Sequence, residues 1–277
     1  MRIDAHQHFW VYSPDEYGWI DESMQAIRRD FLPEDLAPEL QQNGFAGSVA
    51  VQARQTLEET QHLLSLADKN PRVLGVVGWV DLCSHEVRSQ LSELSNHPKL
   101  LGVRHIVQSE PDERFLLRED FMRGIAALEE FDLAYDILIY TQHLPVAAEF
   151  VEKFPKQRFV LDHMAKPPIK SGQIEKWAEG IRRLAEFPNV LCKLSGLVTE
   201  SDWRHWKPEQ MVPYLDIAFE AFGPERLMIG SDWPVCLVAG NYTSTINVVQ
   251  SWLKQFPAKT QDAILGENAR RFWKLPG

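Results

Sequence analysis

The chain reads as an α/β protein of the (β/α)8 TIM barrel class, one domain spanning residues 1–277. Two observations predict it. Apolar strand-like runs alternate with amphipathic helical stretches about eight times, as repeated βα units around a closed parallel sheet require. Three short phrases also stand where apolar runs end: Asp4-Ala5-His6-Gln7-His8, Leu161-Asp162-His163 and Gly230-Ser231-Asp232-Trp233-Pro234. They lie at the start, middle and far end of the chain. A closed parallel barrel brings such distant strand ends to one rim.

Taken in order, the strands are expected at 2–8, 47–53, 73–80, 100–107, 133–140, 159–163, 190–194 and 227–230. Several are continuous apolar runs, as strands buried on both faces should be. Helical patterns fall between them at 33–43, 56–69, 84–96, 119–130, 145–154, 174–187, 208–222 and 243–255, and 258–275 reads as a closing C-terminal helix. Pro33, Pro145 and Pro208 suit first-turn positions, where a missing N–H costs little. A doubly wound open sheet is the alternative, but it calls for a Gly-rich first turn that is absent. Residues 11–30 form a long first βα loop rich in aromatic and charged side chains. Such loops often cover a barrel mouth.

Composition narrows the function classes. A formal net charge of -10 disfavours nucleic acid and anionic membranes as partners. No apolar stretch reaches the ~18 residues of a membrane span. The chain begins directly in the first strand, so no signal peptide is expected. Three cysteines, Cys83, Cys192 and Cys236, show no paired spacing. Reduced thiols and a cytoplasmic location are therefore expected.

Residues at the C-terminal strand ends of a barrel face its active site. His6 and His8 are two apart and so share a strand face, where two imidazoles chelate a divalent ion or hold a water. A surface His-x-His is the bland reading of the pair. Asp232 reads either as a turn residue or as a general base at the end of the last strand. His163 reads either as a satisfied barrel-end histidine or as a site residue. Lys166 and Lys193 are further candidates. Lys193 lies in an apolar strand and must either pair or reach the barrel mouth. Arg104 and His105 interrupt the fourth strand, and only one of these neighbours can point inward. His143 is either a ligand or the start of the next helix. Trp10, Trp19, Trp79 and Trp233 lie at or beyond strand ends, where aromatic faces offer platforms for sugars as well as core.

At these residues the chain resembles the amidohydrolase superfamily. The tail Ile264-Leu265-Gly266-Glu267-Asn268-Ala269-Arg270-Arg271-Phe272 is similar to its closing helix. Leu161-Asp162-His163-Met164-Ala165-Lys166-Pro167 and Asp232-Trp233-Pro234 look like its sugar-lactone hydrolase branch. Gly78-Trp79-Val80-Asp81 and Gly102-Val103-Arg104-His105 are similar to that branch too. The resemblance implies an enzyme opening a small sugar-acid lactone of the L-fuconolactone or L-rhamnonolactone type. Asp232 and His163 would be catalytic, and Arg104, Lys193, Trp19, Trp79 and Trp233 would contact substrate. His6, His8 and Asp232 are the metal ligands it implies. Binuclear members carry a bridging Lys or Glu on strand four, where this chain has Arg104 and His105. The resemblance therefore implies one divalent ion, zinc foremost, or none. A metal-dependent decarboxylase with Arg54 or Arg104 binding a carboxylate, and a non-catalytic sugar-binding barrel, are the alternatives. Whether the chain forms a homo-oligomer is left open.

Overall fold

Eight strands pair parallel and in chain order in the computed structural model, which describes residues 1–276. They are β1 (Ile3–Gln7), β2 (Gly47–Val51), β3 (Val73–Gly78), β4 (Leu100–His105), β5 (Ala134–Ile137), β6 (Phe159–Leu161), β7 (Val190–Leu194) and β8 (Leu227–Ile229). The ring closes where β8 meets β1. There Gln7 bridges Trp233, the His8 N–H donates to the Trp233 carbonyl at 2.7 Å, and the Asp232 N–H donates to the His6 carbonyl at 2.8 Å. Helices cover the outer face: α1 (Pro33–Gln42), α2 (Leu57–Lys69), α3 (Val87–Leu94), α4 (Glu119–Leu128), α5 (Leu144–Glu152), α6 (Ile174–Ala185), α7 (Val212–Phe222) and α8 (Tyr242–Leu253). Strands walled in on both sides bury almost every residue, which is why they read as unbroken apolar runs.

The helices begin where local chemistry allows. α1 starts on Pro33, while the Asp35 carboxylate accepts from the Leu32 N–H at 2.9 Å. Thr56 caps α2 by accepting from the Glu59 N–H at 3.1 Å. The helix expected over 208–222 divides: Pro208–Gln210 is a separate 3-10 turn, and α7 starts at Val212. Pro213 is the reason, because proline is tolerated in a first turn but breaks a helix interior. The closing helix also divides, into α9 (Ala258–Asp262) and α10 (Asn268–Phe272) about a wider turn at Ala263–Glu267. α10 plugs the lower end of the barrel. Phe272 and Trp273 pack there against Ile3, Val49, Val160 and Met228. Burying each such side chain contributes about 1.5–3 kcal/mol.

The long first loop is pinned at its base, where Trp10 and Phe31 exchange backbone hydrogen bonds of 3.0 and 2.9 Å. Among the described residues no helix is long and apolar enough to cross a membrane.

Candidate active site

β1 carries an irregularity that shapes the site. Its pairing with β2 slips between Asp4 and Gln7, so three steps along β1 match two along β2. Such a bulge re-aims side chains. Strict alternation would put Asp4 on the same face as His6. Instead Asp4 turns outward, where its carboxylate accepts from the Tyr242 hydroxyl at 3.0 Å and the Ser231 N–H at 2.9 Å. His6 turns inward to Asp162, Lys193 and Arg104. Asp4 thereby ties β1 to the Ser231–Asp232 turn from behind.

His8 is held by its own strand neighbour. Its Nδ1 lies 2.7 Å from the Val51 carbonyl, which can only accept, so Nδ1 carries a proton and Nε2 is the nitrogen turned to the site. That Nε2 stands 3.2 Å from His6 Nε2 and 3.4 Å from Asp232 Oδ1. The same carboxylate oxygen is 3.9 Å from His6 Nε2 and 3.8 Å from His163 Nε2. Three imidazoles thus converge on one carboxylate. Gly230 permits the approach: a Cβ there would sit 2.7 Å from that of His6.

His163 arrives on an unusual segment. His163, Met164, Ala165 and Lys166 have φ of 51°, 53°, 58° and 52°, a full left-handed turn of non-glycine residues. Each costs about 1–2 kcal/mol. Neighbours hold the turn in place. Trp177 Nε1 donates to the Met164 carbonyl at 2.7 Å, and the Thr141 hydroxyl reaches the carbonyls of Ala165 and Lys166. His163 Nδ1 bonds Ser195 Oγ at 2.9 Å, and only glycine fits beside it at Gly196, whose φ is +66° and whose Cβ would lie 2.7 Å from that nitrogen.

Beneath the imidazoles lies a buried ion network. Lys193 contacts Asp136 directly and lies 2.9 Å from Asp162, and Arg104 donates to Asp162 at 3.0 Å. Lys193 is fully buried, with its ammonium 5.4 Å from the Trp273 ring centre, and it does not border the cavity. The expectation that Lys193 contacts substrate is therefore corrected: between reaching the mouth and pairing, it pairs. Two further corrections concern tryptophans. Trp233 is buried against Phe9 and Phe31, and Trp79, whose backbone N–H donates to the Thr60 hydroxyl, does not line the cavity. A position at a strand end does not settle which way a side chain points.

A cavity of about 410 Å3 opens above Asp232, His8, His163 and Arg104. Trp19, Met24, Val235 and Val238 form an apolar wall. Lys166, Glu200, Gln108 and Tyr140 supply polar lining. Of the neighbours on β4, Arg104 points inward, whereas His105 stacks on Phe115 and bonds Glu110 at 2.6 Å. His143 stands just before α5, accepting from the Tyr140 N–H at 3.2 Å, and is not among the described residues that could hold an ion. Sequence reasoning missed Asp136, Glu200 and Gln108. Asp136 left a trace, as a charge inside an apolar strand at the level of Lys193; Glu200 and Gln108 lie in loops without pattern.

His6, His8 and Asp232 could hold a metal ion. A tetrahedral ion with ligands at about 2.0–2.1 Å spaces them about 3.3 Å apart, and the separations here are 3.2, 3.4 and 3.9 Å. A second grouping, His6, Asp162 and His163, is already served by protein cations, since Lys193 and Arg104 both contact Asp162.

Burial works on each ionisable group. It raises the Asp232 carboxyl, but His163, His8 and His6 outweigh it and hold Asp232 well below the usual carboxylate range. Burial pushes His163 down to about 4 despite Asp232 and Asp162, and lowers His6 as well. Between pH 6.5 and 4 the unfolded chain then binds protons that the folded chain refuses. Stability contributed by neutral His163 is present above pH 6.5 and is lost as pH falls, at about 1.4 kcal/mol per unit, roughly 3 kcal/mol in all. Urea melts of chelator-treated protein at pH 7 and pH 5 are expected to show about 2 kcal/mol of this loss. His163→Asn should flatten the slope by about one proton, and an unchanged slope would refute the assignment.

A family model described as amidohydrolase matches residues 3–275. An L-fucono-1,5-lactonase of Burkholderia multivorans is 40% identical over 287 residues, covering 100% of this chain and 97% of the relative. One from Burkholderia ambifaria is 39% identical, covering 98% of this chain and 91% of the relative. A crystal structure of an amidohydrolase from Burkholderia multivorans with bound zinc superposes with a TM-score of 0.96 at 40% identity, covering 100% of both chains. With a matching eight-stranded barrel and a His/Asp cluster at its rim, the chain belongs to the amidohydrolase family.

Proposed function

We propose that this protein is a hydrolase that opens a sugar-acid lactone of the L-fuconolactone or L-rhamnonolactone type. One observation carries the reading: a single ionised carboxylate, Asp232, faces three imidazoles on the floor of a sugar-sized cavity, in a chain 40% identical over its full length to an L-fucono-1,5-lactonase. Asp232 takes a proton from water as its oxygen attacks the lactone carbonyl carbon. Charge builds on the carbonyl oxygen, where Arg104 and His163 supply donors; the Arg104 Nε is buried without a protein partner. The acyl–oxygen bond then breaks, and protonated Asp232 returns its proton to the departing ring oxygen. One water is consumed and one hydroxy acid is formed. Trp19 and Met24 offer the substrate an apolar wall.

His6, His8 and Asp232 would hold one divalent ion, with zinc favoured by this nitrogen and oxygen donor set. When bound, it would polarise a carbonyl or a water. Nothing favours the decarboxylase or the non-catalytic alternative over lactone opening.

A panel of aldonolactones followed by proton release, with and without chelator, tests the reading. Opening of 6-deoxysugar lactones is expected, with no more than one ion per chain by elemental analysis. Two ions per chain would overturn the single-ion site, and inertness toward every lactone would overturn the activity.

A further inference from the structure

The left-handed turn does more than deliver His163. Its first and fourth residues, His163 and Lys166, both line the cavity, while Met164 and Ala165 between them are buried. The strain of the turn therefore places a lysine in the same chamber as the imidazoles. Strain of this kind is retained where surroundings over-determine it, and it clusters at functional sites. Lys166 faces Glu200, which follows β7, at an Nζ–Oε1 distance of 3.6 Å, and both side chains are about four-fifths buried. That separation is too long for a hydrogen bond. Among the described residues no hydrogen bond occupies the Lys166 ammonium, which lies 5.5 Å from the Tyr140 ring centre. Burial raises the Glu200 carboxyl against the opposing pull of the Lys166 ammonium.

A loosely paired ammonium and carboxylate on a cavity wall suit one ligand chemistry well. Neighbouring hydroxyls use both: one oxygen accepts from the ammonium, and the other hydroxyl donates to the carboxylate. A simple anion would be repelled by Glu200, and a simple cation by Lys166. The Gln108 side-chain oxygen, buried without a partner on the same cavity's wall, adds an acceptor. We propose that Lys166 and Glu200 form the subsite that reads the hydroxyls of a polyhydroxylated lactone, and so determine specificity. This inference rests on the lactone-opening reading.

The test compares wild type, Lys166→Met and Glu200→Gln on L-fucono-1,5-lactone and on δ-valerolactone, which has no hydroxyls. Charge-assisted hydrogen bonds of this kind discriminate by about 10–100-fold. For Lys166→Met, the ratio of kcat/KM for the sugar lactone over the bare lactone is expected to fall by about that factor, mainly through KM. Glu200→Gln, nearly isosteric, should lower the ratio in the same direction and carries the comparison if Lys166→Met misfolds. An unchanged ratio in a folded variant, or a loss borne by kcat alone, overturns the subsite while leaving lactone opening intact. A wild-type protein inert toward both lactones overturns the reaction itself, and the subsite with it.

Discussion

Replacing Asp232 with Asn is expected to lower kcat by at least the ~10²–10⁴-fold that a general base contributes. Its carboxylate has three imidazoles as near neighbours at 3.4–3.9 Å, while its backbone, through the N–H bonded to His6, sets the turn. Asn keeps the shape and the backbone bond but cannot take a proton. The variant should therefore fold with a melting temperature close to wild type, which separates lost chemistry from lost structure. Stopped-flow proton release on a responsive aldonolactone measures the effect. Near-wild-type turnover in folded Asp232→Asn protein would remove Asp232 from the reaction.

Replacing Lys193 with Met is expected to produce the largest loss of stability. The ammonium is enclosed among Asp136, Asp162 and the His6 ring. With Arg104 it balances the two carboxylates. Removing it leaves an uncompensated negative charge in the barrel interior. Breaking a buried pair in this way costs about 3–5 kcal/mol. For a chain of this length that is roughly a 5–10 °C fall in melting temperature. Burial already lifts Asp136 to about 6, so in the variant this carboxyl should take up a proton more readily still. Calorimetry at pH 5 and pH 8 would then show a larger deficit at pH 8. A variant as stable as wild type at both would mean that the network adds nothing to the fold.

These outcomes turn on features of unequal visibility in the sequence. The barrel was legible because eight doubly buried strands must be written as apolar runs. His6 and His8 were legible through their spacing, and Asp232 through its place after the last strand. The inward turn of Arg104 rather than His105 was not, because alternation offers two registers and only tertiary contacts choose between them. For Lys193 the sequence shows a charge in an apolar strand but not its partner, because Asp136 lies 57 positions away on another strand. The bulge in β1 hides in the same way, since nothing in Asp4-Ala5-His6 announces that its two polar residues face opposite sides. The left-handed turn at His163–Lys166 has no glycine to mark it and is imposed from outside by Trp177 and Thr141.

The seam between the first and last strands carries one more implication, about time. His6 and His8 are made among the first residues of the chain, and Asp232 only after 223 more have followed His8. The hydrogen bonds that bring them together, from His8 to Trp233 and from Asp232 to His6, are the ones that shut the ring. A chain stopped before β8 carries the histidines of β1 and β6 but no Asp232 carboxylate to face them. With Asp232 as the base, as proposed, reactivity would begin only at the moment of closure.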